Sequence, residues 1–404
     1  MKILHTADWH LGHRLHEQSQ YQEQQLFLDW LTNHIISENY EVLLISGDVF
    51  DTGMPSNQSL TQYYDFLVGL RNTCCKHIVV TGGNHDSPGT LNAPKQLLNA
   101  LHIDVVGKAT EDCKDELFYL ETATEAVWIA AVPYLRDQDV RRAVAGESFE
   151  DMNERYKAAL IKHYTDLAEH CVRLNTHQKP VIAMGHLFAI GGSISDSEKD
   201  ISVGNLGHIG ADDFPEIFDY VALGHLHRPQ WIGGKEHIRY SGSPNILSFS
   251  EIGYDKKIIG LTIADGEIQS IEETTLPVFR NVLRVQGDVP SCLTQLNDIQ
   301  TNEYNLEPWI EVVLDNDTTV VLDTTELKKQ AEDLGLRILK VSLKNKRQTV
   351  GLETLMENAE RVKNLKPMDV FEKKCEEQGI DLKEHKELAE AFKEALSIAQ
   401  ETNT

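Results

Sequence analysis

Five apolar segments of this chain are each followed by polar residues that bind metal ions or transfer protons. In chain order these residues are Asp8 and His10 in ADWH, Asp48 in SGDVFD, Asn84 and His85 in GGNHD, His186 in MGH, and His225 and His227 in LGHLH. Imidazole, carboxylate and amide ligands without a thiolate suit Mn²⁺, Fe²⁺ or Zn²⁺ in a five- or six-coordinate site. The set therefore indicates metal-dependent chemistry.

The number of these side chains indicates more than one ion. Without His85 the set still has seven members, too many for one ion that keeps open positions. They suit two divalent ions about 3.5–4 Å apart, bridged by one carboxylate, which generate hydroxide at neutral pH and clamp a phosphoryl group during in-line displacement. We therefore predict hydrolysis of a phosphate ester.

The stretch TGGNHDSP carries an amide, an imidazole and a carboxylate directly after an apolar run. We expect Asn84 to bind metal through its amide oxygen and His85 to face the substrate, where it donates to the departing oxygen or to developing charge. A catalytic histidine usually needs an orienting partner. We predict that Asp51 supplies it through its carboxylate, with Asp86 as the alternative or as a residue of the local turn.

The elements that position these residues alternate along the chain. Short β-branched apolar runs are separated by segments with helical spacing, which predicts an α/β fold with strands buried on both faces. Functional residues of such folds collect outside the carboxyl ends of the strands. The polar side chains that follow all five segments can therefore lie close together in one site. Glycines at 47, 83, 185 and 224 are expected to let the backbone bend tightly beside the ligands.

The later part of the chain has a different pattern of predicted strands and helices. After Gly224 the segments IRYSGSP, KKIIGLTIADG and EIQSIEE predict antiparallel strands, with ADGE as a hairpin turn. We place a first domain at residues 1–277 and a small α+β domain at 278–345, with the order strand, helix, strand, helix, strand. Residues 346–404 are charged and helical, and Leu388, Phe392 and either Ala395 or Leu396 form one narrow apolar stripe.

Composition limits the class of protein. The chain has 404 residues and a formal net charge of -25, which argues against a protein that grips nucleic acid without help from bound cations or a basic partner. We expect no membrane span, because no apolar run approaches the length of about 20 residues that a membrane helix needs. Six scattered cysteines without a Cys-x-x-Cys pair fit a cytoplasmic protein.

The motifs Asp-x-His, Gly-Asp, Gly-Asn-His-Asp, Gly-His and Gly-His-x-His occur here in the order that is typical of the calcineurin-like metallophosphoesterase superfamily. Within it the chain resembles the SbcD family, the bacterial branch of the Mre-eleven DNA-repair nucleases, in ILHTADWHLG, SGDVFDTG, GGNHDS, ALGHLHRPQ and IRYSGSP. The resemblance implies a metallophosphoesterase β-sandwich flanked by helices, then a small α+β capping domain and a C-terminal helical tail.

The resemblance also implies roles for the site residues. One metal ion, most often Mn²⁺ in this family, would be bound by Asp8, His10, Asp48 and His227, and the other by Asp48, Asn84, His186 and His225. Asp48 would bridge them and His85 would be the catalytic histidine. In related protein phosphatases a carboxylate at the position of Asp51 pairs with that histidine, and a phosphate-gripping arginine follows it. This chain has Thr52 there.

The implied activity is ATP-dependent exonuclease action on duplex ends and endonuclease action on single strands and hairpins, in DNA repair, recombination and replication. The chain has no Walker motif, so ATP hydrolysis would come from an SbcC-type ATPase docked on the C-terminal helices. The family implies a homodimer within a heterotetramer, in which Leu60, Tyr63, Tyr64, Leu67 and Leu70 would form the nuclease contact or simply cover the sheet. Alternatives are a phosphatase or cyclic-nucleotide phosphodiesterase, or a non-catalytic scaffold.

Overall fold

Two six-stranded β-sheets form the centre of a computed structural model that describes residues 1–140, 148–193, 209–300, 302–315, 324–344 and 392. In spatial order the first sheet contains β14 (Glu267–Thr275), β13 (Lys257–Ala264), β1 (Lys2–Thr6), β4 (Val42–Ser46), β5 (His77–Thr81) and β6 (Ile103–Val106). The second contains β11 (Gln230–Ile232), β12 (Lys235–Tyr240), β10 (Tyr220–Gly224), β9 (Val181–His186), β8 (Ala126–Ala131) and β7 (Leu117–Glu121).

Alternating side chains build a layered core. Along β4, Val42 and Leu44 pack with residues of the second sheet, whereas Leu43 and Ile45 pack on the other face with helices. The described helices of this region are α1 (Tyr21–Glu38), α2 (Asn57–Gly69), α3 (Pro88–Asn92), α4 (Lys95–Asn99), α5 (Asp137–Val140) and α6 (Phe149–Leu174). The arrangement is a β-sandwich flanked by helices, and it confirms the predicted fold class.

Strand directions differ from the prediction in one place. The segment IRY belongs to β12, which runs parallel to β10 and antiparallel only to β11. The hairpin prediction for ADGE is confirmed, because Ala264 pairs with Glu267 across a turn whose Asp265 and Gly266 have φ of 54° and 76°. A two-stranded ribbon of β2 (Arg14–Leu15) and β3 (Gln18–Ser19) follows the first site segment.

A third sheet of β15 (Val282–Gly287), β16 (Trp309–Asp315) and β17 (Arg337–Lys344) packs with α7 (Val289–Asn297) and α8 (Thr324–Asp333). This is the predicted order of strands and helices. Arg280 precedes the sheet, and its guanidinium makes two hydrogen bonds of 3.0 Å to the buried Glu23 carboxylate of α1. It also lies 4.2 Å from the centre of the Trp309 ring. Arg280 therefore fastens the small module to the first sheet's helical layer.

Two sequence predictions concern contacts with other chains. The apolar stripe of the tail lies outside the described residues, apart from Phe392. Of the residues considered for a dimer contact, Tyr63, Leu67 and Leu70 are buried against the first sheet, and Leu60 and Tyr64 pack partly buried beside them. These side chains cover the sheet. In the described part of the chain no helix has the length and apolarity to cross a membrane.

Candidate metal centre

The candidate ligands come from the carboxyl ends of parallel strands in two different sheets. Asp8 and His10 follow β1, Asp48 follows β4, and Asn84 and His85 follow β5, all in the first sheet. In the second sheet, His186 is the last residue of β9, and His225 and His227 follow β10. The structure brings all eight together where these strand ends meet. The five residues that follow β1, β4 and β5 are neighbours within one sheet, whereas the three histidines arrive from the opposite side.

Asp48 lies close to one candidate histidine from each sheet. Its Oδ2 lies 3.2 Å from His186 Nε2 and 3.6 Å from His10 Nε2. The ligand atoms of Asp8, His10 and His227 lie within 4.8 Å of one another, as do those of Asp8, Asp48 and His186. These two overlapping groups share Asp8, and Asp48 joins the second group to His10.

Asn84 completes the second group. Its Oδ1 lies 3.0 Å from both His186 Nε2 and His225 Nδ1. The oxygen of a neutral amide is a suitable ligand for a divalent ion that also takes imidazole nitrogen. The side chain can therefore bind metal with the two histidines of the second sheet, which is the role that the sequence predicts.

The backbone at four of these residues adopts the left-handed region. Asp8, His10, Asp48 and His225 have φ of 55°, 46°, 47° and 106°, respectively. Residues other than glycine rarely adopt positive φ, and each such residue costs on the order of 1–3 kcal/mol that the surrounding structure must offset. Strain of this kind clusters at functional sites.

The glycines beside the ligands serve mainly to leave space. Gly47 has φ of 83°, as the prediction of a tight bend requires, but the other three predicted glycines do not adopt positive φ. A Cβ on Gly83 would lie 2.1 Å from Asp48 Oδ1, and a Cβ on Gly224 would lie 1.8 Å from the Ser46 carbonyl oxygen. At these two positions glycine is therefore required by space and not by a positive φ. Gly83 is crowded by the neighbouring strand end of its own sheet, and Gly224 by the first sheet.

For His186 and His10, a hydrogen bond on one side of the imidazole selects the nitrogen that faces the site. His186 Nδ1 donates to the Ser46 carbonyl at 2.9 Å, so Nε2 is the ligand nitrogen. His10 Nδ1 lies 3.2 Å from Asp51 Oδ1, and its Nε2 is buried without any hydrogen-bond partner. Because an unsatisfied buried polar atom is costly, His10 Nε2 fits a metal ligand.

The electrostatics of the group also fit a cation. Burial raises the pKa of Asp8 to about 7 and lowers the pKa of His225 to about 3. Burial acts to lower the pKa of His186, but the Asp48 and Asp8 carboxylates outweigh it and raise that pKa to about 9. Among the described residues neither carboxylate has an ion pair with Lys or Arg. Divalent ions would balance these two buried acids.

His85 lies at the accessible side of the group. It is half-buried, and the centre of its ring lies 4.8 Å from that of His10. Its Nδ1 donates to the main-chain carbonyl of Asp51 at 2.9 Å, not to the carboxylate. The Asp51 carboxylate lies instead 2.7 Å from His13 Nδ1 and 3.2 Å from His10 Nδ1. The predicted partner is therefore adjacent to His85, but the contacting atom differs, because two other imidazoles compete for the carboxylate.

Asp86 ties two of the site loops together. Its carboxylate accepts hydrogen bonds from the backbone N–H groups of Val49, Phe50 and Gly83 at 2.9–3.1 Å. These contacts join the loop after β4 to the turn after β5. Asp86 therefore stabilises the local turn, which is the second role that the sequence analysis considered for it. Its carboxylate contacts these backbone groups and not the His85 ring.

Residues near the group were missed by sequence reasoning. The loop after β8 brings the Tyr134 ring to 6.2 Å from the His186 ring, and Arg136 Nη2 donates to the Asp86 carbonyl at 3.2 Å. The signal that would have found them is the same strand-end rule, applied to the apolar run VWIAAVP, which lies between the segments that end at His85 and His186. The buried carboxylate of Glu251, 3.0 Å from His227 Nδ1, was also missed. It comes from a separate turn without a spacing signal.

Comparisons with known proteins show the family to which the chain belongs. A family model described as calcineurin-like phosphoesterase matches residues 1–229, and one described as type 5 capsule protein repressor C-terminal domain matches residues 278–379. The Escherichia coli (strain K12) protein named as the D subunit of nuclease SbcCD is 33% identical over 399 residues, covering 98% of each chain. Proteins of the same name from Bacillus subtilis (strain 168) and Rhodobacter capsulatus are each 34% identical, covering 68% and 84% of this chain and 70% and 86% of their own. This chain belongs to the SbcD family of calcineurin-like phosphoesterases.

Proposed function

We propose that this chain is the metal-dependent nuclease subunit of an SbcCD-type complex and that it hydrolyses DNA phosphodiester bonds. The observation that carries the proposal is the convergence of seven ligand-type side chains and His85 at one meeting point of two sheets. When bound, two divalent ions, which we propose to be Mn²⁺, would supply hydroxide and neutralise the charge of an in-line displacement.

We assign separate roles in metal binding and proton transfer to the residues of the site. Asp8, His10, Asp48 and His227 would hold one ion, and Asp48, Asn84, His186 and His225 the other. We assign His85 to the leaving group. Because its Nδ1–H donates to the Asp51 carbonyl, the ring can donate from Nε2 only as the imidazolium, which would pass its Nε2 proton to the departing oxygen. The strained backbone at Asp8, His10 and Asp48 is consistent with side chains held in position before substrate binds.

A phosphodiester also needs a cationic contact. The arginine that phosphatases place after the Asp51 position is Thr52 here. Arg136, in the loop after β8, donates from Nη2 to the main-chain carbonyl of Asp86, the residue after His85, and this hydrogen bond engages one Nη of a guanidinium with five N–H donors. We assign Arg136 to the substrate phosphate, because a guanidinium binds phosphate oxygens with good geometry.

The net charge of the chain and its lack of a Walker motif support a proposal for its partner, and its cysteines support one for its location. With a net charge of -25, the chain would bind DNA through its metal ions and through a basic partner. We propose an SbcC-type ATPase docked on residues 346–404, with two nuclease chains in a heterotetramer. Truncation near residue 350 is then expected to spare Mn²⁺ binding and abolish complex formation. The five described cysteines are free thiols, which suits the cytoplasmic location that we also propose.

Cleavage of linear duplex and hairpin DNA, measured with and without partner, ATP and Mn²⁺, tests the function. We expect Mn²⁺-dependent cleavage of DNA ends that requires the partner and ATP, and none by Asp48→Ala, which removes the ligand shared by both ions. Turnover of a chromogenic phosphodiester without DNA cleavage would instead favour a small-molecule phosphodiesterase or phosphatase. Two bound Mn²⁺ per chain without any phosphodiester cleavage would favour a scaffold.

A further inference from the structure

Glu251 is a buried acid that the proposed chemistry does not yet use. It lies in a single 3₁₀ turn, Phe249–Glu251, and its side chain is 0% exposed. A carboxylate removed from water must be paired and hydrogen-bonded, otherwise it destabilises the fold or takes up a proton. Its partners therefore indicate why a charged residue occupies this position.

The two carboxylate oxygens of Glu251 have separate partners. Oε1 lies 3.0 Å from Nδ1 of His227. Oε2 accepts from the Lys256 ammonium at 2.6 Å and from the Leu247 backbone N–H at 3.2 Å. Lys256 is itself buried and also donates to Ser243 Oγ at 2.8 Å. The ammonium thus holds the carboxylate on one side, and the imidazole lies on the other.

This arrangement sets the orientation of the His227 ring. With its Nδ1 proton on Glu251, the ring's lone pair lies on Nε2, the nitrogen that would bind metal beside Asp8 and His10. A carboxylate on the far side of a metal-binding histidine fixes its tautomer and increases its basicity. Lys256 prevents the carboxylate from turning away.

The same turn contacts the small α+β module. Arg284 of β15 donates to the Phe249 carbonyl at 2.9 Å, and the Phe249 ring packs in one buried cluster with Val282 and Trp309. The small module and Lys256 therefore both hold the turn that carries Glu251. These contacts restrict movement of the turn, which a positioning role requires.

We propose that Glu251, held by Lys256, is a positioning residue that orients His227 as a metal ligand and thereby sets the affinity of the Asp8–His10–His227 ion site. This inference rests on the proposed two-metal function. It assigns a role to a pair of buried charges that neither the motifs nor the relatives' names identify.

Mn²⁺ binding by the full-length chain, measured by equilibrium dialysis and elemental analysis, tests the proposal without relying on activity. The variant is Glu251→Gln, and the matched control is Lys257→Met, which removes the next lysine along the chain and its 2.5 Å pair with Glu273. We expect one of two Mn²⁺ sites to weaken about 10- to 100-fold in Glu251→Gln. The second site, and both sites of Lys257→Met, should keep wild-type affinity. Two wild-type affinities in Glu251→Gln would overturn the proposal.

A second variant separates positioning from folding. Glu251→Gln leaves Lys256 buried without its charge partner, so we add the double variant Glu251→Gln/Lys256→Met, which removes both charges. The positioning role predicts the same single weakened site in this variant, with metal-free urea unfolding close to wild type. Recovery of wild-type Mn²⁺ affinity in the double variant would overturn it. A wild-type chain that binds no Mn²⁺ would overturn the proposed function as well, whereas normal binding in the variants overturns this inference alone.

Discussion

The main-chain carbonyl of Asp51 lies 2.9 Å from His85 Nδ1, whereas the Asp51 carboxylate contacts His10 and His13. Asp51 thus contacts three imidazoles, one through its main-chain carbonyl and two through its carboxylate. The backbone contact orients the proposed catalytic histidine, and the side chain supports a proposed metal ligand. A substitution of Asp51 that leaves the backbone in place should therefore preserve the hydrogen bond between His85 Nδ1 and the carbonyl of residue 51.

Substitution Asp51→Ala is therefore expected to change metal binding more than chemistry. Loss of the carboxylate removes the hydrogen bond to His10 Nδ1, and we expect about 10- to 100-fold weaker Mn²⁺ binding at one site. Cleavage at saturating Mn²⁺ should stay within a few-fold of wild type. Titration of Mn²⁺ against cleavage rate measures both quantities, with the exposed Asp29→Ala as control. A large loss of kcat with unchanged Mn²⁺ affinity would show that the carboxylate orients His85 after all.

Substitution His85→Ala is expected to separate metal binding from catalysis. His85 is not in either ligand set, so two Mn²⁺ should still bind. Loss of a proton donor at the leaving group should lower the cleavage rate about 10²- to 10⁴-fold. The matched control is His77→Ala, which alters a half-buried histidine at the other end of β5. Normal cleavage by His85→Ala would exclude the assigned role.

Substitution Arg136→Ala is expected to weaken DNA use without affecting the metal ions. A hydrogen bond from a charged donor contributes about 1.5–3 kcal/mol, which corresponds to roughly 10- to 100-fold in kcat/KM for DNA. Mn²⁺ stoichiometry should be unchanged. Arg173→Ala, which removes an exposed guanidinium from α6, controls for charge. Equal kcat/KM in Arg136→Ala and the control would remove Arg136 from the substrate site.

Substitution Arg280→Ala is expected to destabilise the whole fold. It leaves Glu23 buried without its partner, and breaking a buried ion pair from one side costs about 3–5 kcal/mol. Arg337→Ala breaks an exposed pair with Glu307, for which about 1 kcal/mol or less is expected. Urea unfolding of both variants measures the difference. Similar midpoints for the two variants would mean that the Arg280 pair contributes little to the attachment of the small module.

Much of the candidate site follows from local sequence because each ligand stands at or just after the end of a strand. The β-branched runs predict the strands, and the polar residues at their ends predict the ligands, so Asp8, Asp48 and Asn84 are visible without a structure. Arg136 also follows an apolar run, VWIAAVP, and the same rule extends to it. Glu251 could not be found in this way, since its contact with His227 spans 24 residues and depends on how a turn packs.

The amino-acid sequence by itself determined the strands, the ligand types and the family, because periodicity and motif order are properties of neighbouring residues. Only the tertiary structure decided which atom of Asp51 meets His85, why Gly83 and Gly224 cannot carry a side chain, and that Arg280 pairs with a glutamate 257 residues earlier. Those features depend on how closely loops, strand ends and layers from separate parts of the chain approach one another. Packing distances between segments remote in the chain leave no local pattern from which to predict them.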